Sequence, residues 1–339
     1  MLGTLRFFLA WFVMLSHLPF SPFSMYFNPG VSSVIVFYFI SGYLMYFSFS
    51  KIEIKNFKQK IAFFFLKRVF RLFPLYLIVL FFTILLIHIY HHSNFVPLLN
   101  QDLNLKKFFL NAIMILNNYV FPPFEIHALL PHPLIPPTWS LSTEWHFYLL
   151  VPLMFYLLHK NKKIFYIVLI ASLIFELYAF TKASPTFNSD NFGYRYIFGV
   201  LWIFLVGFLF AKEGYSKFLK ILYFSLIIYF IFIGFYFTNH TYVKEIFFAI
   251  FFLPFVNIIK NLNFKYDYFL GQLSYPIFIS HFFTFYFVEN VLKIKDKFWY
   301  FFNVFLFVLI FSSILAIIHI KLYPLLVNKT KEFFRKSTQ

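Results

Sequence analysis

Arg6 and His17 stand eleven residues apart in the run Leu-Arg-Phe-Phe-Leu-Ala-Trp-Phe-Val-Met-Leu-Ser-His, an otherwise apolar stretch. Eleven steps of about 100° bring a helix back to within roughly 20° of its starting face, so the two side chains share one stripe about 16 Å apart. Ionisable groups inside a membrane are costly, and they usually face a protein interior, a partner or water. A histidine titrating near neutrality is suited to moving protons in such a place. The plainer alternative is a snorkelling arginine and a packed histidine.

Three more clusters carry chemistry. In Lys67-Arg68-Val69-Phe70-Arg71, Arg68 and Arg71 are i, i+3 neighbours on one helix face. Two guanidiniums so placed make a phosphate clamp, although taken alone the pair reads more simply as a cationic membrane anchor. In Thr-Trp-Ser-Leu-Ser-Thr-Glu, residues 138–144, Glu144 sits one and a half turns into a helix. A carboxylate there needs a cationic partner or a proton, and it could orient or deprotonate a hydroxyl; a structural ion pair is the alternative. Trp139 and Ser142 of the same run are secondary candidates. So is His281, at the end of Leu-Gly-Gln-Leu-Ser-Tyr-Pro-Ile-Phe-Ile-Ser-His, which reads as readily as an interior packing residue. No metal site is expected: the chain has no cysteine, and His88, His91 and His92 lack a convincing further ligand.

The elements that must position these residues are membrane helices. Of 339 residues 61% are hydrophobic and 12% charged, far from a soluble domain, and the apolar runs are long enough to cross a bilayer. The expected fold is all-α and polytopic, with spans near 5–27, 30–50, 69–91, 138–158, 164–181, 194–211, 218–237, 244–259, 268–291 and 298–320. With the N-terminus in the cytoplasm, 21 of the 29 Lys and Arg fall on the inner side, which predicts about ten spans with both ends inside. The same scatter explains a net charge of +17 without nucleic acid, since no continuous basic stripe exists. The 60 Phe and 24 Tyr are read as the codon bias of an AT-rich genome. The stretch 92–137 is the longest expected outer piece, with 108–120 a re-entrant or interfacial segment. Pro122, Pro123, Pro131, Pro133, Pro136 and Pro137 then exclude regular helix until about Thr138. Residues 1–325 read as one transmembrane domain and 326–339 as a short basic tail.

In order and spacing, these clusters resemble the membrane acyltransferase-3 family, the O-acyltransferases of bacterial surface glycans and their relatives. The resemblance covers nearly the whole chain. It rests on the Arg6–His17 spacing, the stretch from Gly30 to Gly42, Arg68-x-x-Arg71 followed by Pro74 and Tyr76, Trp139-Ser-Leu-x-x-Glu144, and Leu270-Gly-x-x-Ser-Tyr ahead of His281. Val34 and Ile35 stand where the family usually has bulkier aromatics.

The resemblance implies ten helices in a bacterial cytoplasmic membrane. It implies transfer of an acyl group, most often acetyl, from cytoplasmic acyl-CoA to a hydroxyl of a cell-envelope glycan such as O-antigen, capsule or peptidoglycan. Arg6 and His17 match the family's essential pair, Arg68 and Arg71 its basic pair and Glu144 its acidic position. On that reading Arg68 and Arg71 receive the CoA phosphates, His17 is a base or a transient acyl carrier, and Glu144 positions the glycan. The chain resembles stand-alone members, which act alone or with a separate extracytoplasmic partner, in contact with membrane lipid. A transporter or flippase of a lipid-linked sugar, or of an ion-coupled solute, is the competing expectation, because intramembrane Arg, His and Glu serve proton coupling equally well.

Overall fold

A computed structural model describes residues 1–19, 21, 27–118, 133–182, 188–234 and 242–336. Eleven α-helices are among them: α1 (Leu2–Ser16), α2 (Pro29–Ser50), α3 (Phe57–Tyr90), α4 (Leu105–Ala112), α5 (Thr138–Lys160), α6 (Lys162–Phe180), α7 (Ile197–Glu213), α8 (Lys217–Gly234), α9 (Val243–Asn261), α10 (Asp267–Asn290) and α11 (Lys297–Lys336). A π-helical turn, Ser189–Arg195, leads into α7. No β-strand occurs among the described residues.

Five helical stretches are long and apolar enough to cross a membrane: Pro29–Ser50, Phe57–Tyr90, Lys162–Phe180, Ser189–Glu213 and Lys297–Phe334. They coincide with five of the expected spans. The other five expected spans fall on α1, α5, α8, α9 and α10. Among these, α5 and α10 carry Ser140, Ser142, Thr143, Glu144, Ser274, Ser280, His281 and Glu289, so polarity in the interior is what lowers their apolarity.

Burial sorts the bundle into inner and outer helices. Ser189–Glu213 is 78% buried and α2 72%, whereas α11 is only 28% buried over its apolar window. Phe81, Phe82, Phe302, Ile314 and Ile317 lie exposed on α3 and α11, as a lipid-facing surface requires.

Two backbone-to-backbone crossings hold the centre. A Cβ added at Gly42 would lie 1.9 Å from the Phe204 carbonyl, and one at Gly207 2.1 Å from that of Phe39, so α2 and α7 touch where only glycine fits. Gly3 and Gly271 do the same for α1 and α10. That second contact is reinforced where Asp267 Oδ1 accepts from Thr4 N and Oγ1, at 2.7 and 2.8 Å, and where Ser274 Oγ donates to the Arg6 carbonyl at 3.0 Å.

Two local expectations are revised. The first helix ends at Ser16 instead of running to 27, because Leu18 precedes Pro19 and proline disfavours the helical conformation before it. His17 is therefore the C-terminal cap of α1. The segment 108–120 begins inside a two-turn helix, α4, and continues as the 3₁₀ turn Met114–Leu116, held by side chains from the bundle. Its last two residues, together with Pro122, Pro123 and Pro131, lie outside the described residues.

Candidate active site

The site is assembled by α5. Helical spacing puts Ser140, Leu141, Glu144 and Tyr148 along one side, while Trp139 turns away from it. The start of α5 is held by the preceding loop. Asn117 Nδ2 donates to Tyr76 OH at 3.2 Å and to Thr138 Oγ1 at 2.9 Å, and Tyr76 OH donates to the Asn111 carbonyl at 2.6 Å. Ser142 Oγ donates to the Ile115 carbonyl, so this expected secondary candidate fastens the loop and lines neither cavity described below.

One cavity of about 730 Å³ is lined by Arg6, Arg71, Ser41, Glu144, Tyr148 and Tyr275, among others. Glu144 Oε1 accepts from Ser41 Oγ and, at 2.5 Å, from Tyr148 OH. Neither Arg6 nor Arg71 makes a side-chain hydrogen bond or an ion pair among the described residues, so two guanidiniums face the space with their donors open. Two cations and one carboxylate give this cavity the character of an anion site. Tyr275 OH donates to the Leu72 carbonyl at 2.8 Å, fixing α3 beside Arg71 and next to Pro74.

Arg68 points elsewhere. It is 3% exposed, with Nη2 on Ser48 Oγ at 3.1 Å, Nη1 on Met45 Sδ at 3.6 Å, and its guanidinium over the rings of Phe64 and Tyr148. The expected pair thus divides: Arg71 lines the cavity and Arg68 packs behind it.

A second cavity, of about 400 Å³, is lined by His17, Asn28, Trp139, Tyr194, Arg195 and Tyr242. Val34, Ser140 and Phe278 line both cavities, so the two are neighbours across three side chains. Here the structure brings His17 and His281 together. His17 Nδ1 lies 3.2 Å from His281 Nε2, with ring centroids 5.3 Å apart and planes within 10°. A centroid separation so much longer than the nitrogen contact means the rings meet edge to edge, as a hydrogen bond requires. His281 Nδ1 is 3.2 Å from the Ile277 carbonyl, which can only accept. That nitrogen therefore carries the proton, and Nε2 of neutral His281 must accept from His17 Nδ1–H. In that tautomer His17 Nε2 carries the lone pair, and the Val13 carbonyl lies within hydrogen-bond reach of the same ring. His281 is fully buried and His17 exposed, with Phe282 against both rings at 4.9 and 5.1 Å.

Arg195 is the functional candidate that sequence reasoning missed. Its Nε and Nη2 donate to the two oxygens of Asp190 at 2.8 and 3.3 Å, and its guanidinium lies 4.4 Å from the Trp139 ring centroid. Asp190 and Arg195 are five residues apart, about 140° around an α-helix, but the π-turn Ser189–Arg195 brings them face to face. Thr143 Oγ1 and Asn118 Nδ2 donate to the Arg195 carbonyl at 2.8 and 3.0 Å and lock the turn to α5. Across the cavity Tyr242 has φ of 66°, a left-handed conformation costly for a bulky residue, with its ring 5.1 Å from Tyr194.

The structure thus gathers Arg6, Arg71 and Glu144 in one chamber and His17, His281 and Trp139 around the next. Glu144 sits with the arginines and not beside His17. As a set of groups, the first chamber can hold an anion and the second can take a proton from a hydroxyl.

The profile of the acyltransferase domain family matches residues 2–317. An uncharacterized protein of Aquifex aeolicus (strain VF5) is 30% identical over 168 residues, a match covering 46% of this chain and 73% of the relative. No solved structure matches. The transporter reading finds no support in these likenesses. The chain belongs to the acyltransferase-3 family of membrane acyltransferases.

Proposed function

We propose that the protein is an O-acyltransferase of a bacterial cytoplasmic membrane, with both termini inside, moving an acetyl group from cytoplasmic acetyl-CoA to a hydroxyl of a cell-envelope glycan. The observation that carries this reading is the pair of adjoining chambers, one with two unpaired guanidiniums and the next with a histidine bonded through Nδ1 to a second, buried histidine. The donor is a polyanion with a neutral thioester at its far end. Arg6 and Arg71 attract its charged part and Glu144, held by Ser41 and Tyr148, sets their counter-charge. The thioester passes Val34, Ser140 and Phe278 into reach of His17.

There, His17 Nε2 takes the proton of the acceptor hydroxyl as its oxygen attacks the thioester carbonyl. The carbon–oxygen bond forms first, giving a tetrahedral oxyanion, and the carbon–sulfur bond breaks as that intermediate collapses. The thiolate then leaves with the proton that His17 received, giving an ester and free CoA. His281, accepting from His17 Nδ1–H, steadies the imidazolium formed in between; it is a positioning residue, with no contact to the reacting atoms. Arg195 over Trp139 offers donors to the acceptor, or to the oxyanion of the tetrahedral intermediate.

Purified protein in liposomes, given radiolabelled acetyl-CoA and the host's envelope glycan fraction, is expected to label the glycan. Absence of label with acetyl-CoA, and with longer or dicarboxylic acyl-CoA donors, overturns the reading.

A further inference from the structure

A third recess lies where α3 begins and α11 ends. At the standard rise, the 34 residues of α3 and the 40 of α11 reach about 51 and 60 Å, well beyond a hydrocarbon core of roughly 30 Å. Phe63 of α3 and Phe334 of α11 meet edge-on at 6.0 Å, so these ends pack against each other. Between them and the connection 51–56 opens a space of about 1480 Å³, lined by Lys51, Lys55, Lys67 and Lys331, one acid, Glu53, and the two phenylalanines.

The positive-inside rule asks for cations on this side but not for their convergence on one concave surface. None of the four ammonium groups makes an ion pair or a hydrogen bond among the described residues, Glu53 included. Lys67 Nζ lies 5.8 Å from the Phe63 ring. Four unpaired amines on one concave surface match a phosphate-bearing ligand, and in a user of acyl-CoA such a ligand is the donor's nucleotide end.

The recess and the arginine cavity draw on the same helix. Lys67 lines it and Arg71, four residues on and thus one turn along the same face of α3, lines the cavity beside Glu144. Their backbone positions are only about 6 Å apart along the axis. A nucleotide held among the lysines could extend a flexible arm past Arg71 without leaving the protein.

We infer that this recess binds the nucleotide end of the acyl donor, in particular its ribose 3′-phosphate. The inference rests on the proposed use of acyl-CoA. It assigns the 3′-phosphate and its nucleoside to Lys51, Lys55, Lys67 and Lys331, and leaves the diphosphate to Arg71 and Arg6.

The test uses full-length protein in phosphatidylcholine nanodiscs, with adenosine 3′,5′-bisphosphate as the probe. The triple variant Lys51→Gln, Lys55→Gln, Lys331→Gln is expected to bind the probe about ten-fold or more weakly, as three lost partly exposed ion pairs imply. Its KM for acetyl-CoA should rise by a similar factor with kcat little changed, while its KM for 3′-dephospho-acetyl-CoA should rise less. The matching Lys→Arg triple variant should bind as wild type does, and Lys220→Gln, outside the recess, serves as the unaffected control. Unchanged probe affinity in the glutamine variant overturns the inference. So does a defect seen only when anionic lipid is added to the nanodiscs, which would give the recess to a lipid headgroup phosphate. Failure of acyl transfer in wild type that still binds the probe through these lysines would sink the proposed activity and not the recess. Normal transfer with normal KM in the glutamine variant would do the reverse.

Discussion

The proposed reactive unit is two imidazoles in series, His17 and His281. Because the Ile277 carbonyl fixes the proton on His281 Nδ1, the only tautomer of His17 consistent with a hydrogen bond exposes Nε2. Removing the acceptor frees His17 to rotate and to change tautomer. His281→Leu should therefore lower kcat by about ten- to a hundred-fold, part of the range for a misplaced general base. His281→Gln, whose amide oxygen can still accept from Nδ1–H, should keep more of the activity. Steady-state rates of both variants, at matched levels of folded protein, check this; equal losses would mean His281 only fills space. Arg6, His17, Arg71 and Glu144 were legible in the sequence because each is a charge or an imidazole where apolar residues surround it. The contact between His17 and His281 was not legible, since 264 positions separate them and only the crossing of α1 and α10 unites them. Arg195 was passed over as one of many outer cations, because an i, i+5 ion pair has no meaning until the backbone adopts a π-turn.

At the scale of elements, close helix contacts decide where these side chains meet. Gly3 against Gly271 lets α1 and α10 run in contact, which sets Arg6 and His17 beside Ser274 and His281. The division between the chambers falls to Val34 on α2, Ser140 on α5 and Phe278 on α10. Ser140 is buried and small, and its hydroxyl donates to the Pro137 carbonyl within its own helix at 2.9 Å, so it leaves room rather than making a link. Ser140→Leu should close the junction. Transfer to the acceptor is expected to fall by about a hundred-fold or more, as when a reacting group is displaced from its partner. Donor affinity, measured with a non-hydrolysable acetyl-CoA analogue, should change little. Weakened donor binding together with intact transfer would show that the thioester takes another route. Helix positions were readable from apolar run lengths, and the end of α1 could have been placed from Pro19. The overhang of α3 and α11 was hidden, because an apolar window stops where charge begins while the helix itself continues.

For the whole molecule, the proposed route crosses a bundle whose central helices, α2 and α7, are buried and whose outer helices turn phenylalanine, leucine and isoleucine to lipid. Cationic groups mark its beginning, at the lysine recess and then Arg71 and Arg6; His17 lines the adjoining chamber with His281 buried behind it. Family membership and an all-helical membrane fold follow from sequence and structure together, and the account adds that chemistry happens at His17. The most direct test compares wild type with His17→Ala in membranes of matched expression, following label from radiolabelled acetyl-CoA into the envelope glycan while donor binding is measured in parallel. The account predicts that label falls by about a hundred-fold or more, as loss of a general base implies, with donor affinity retained. Transfer at the wild-type rate by a folded His17→Ala protein would contradict it.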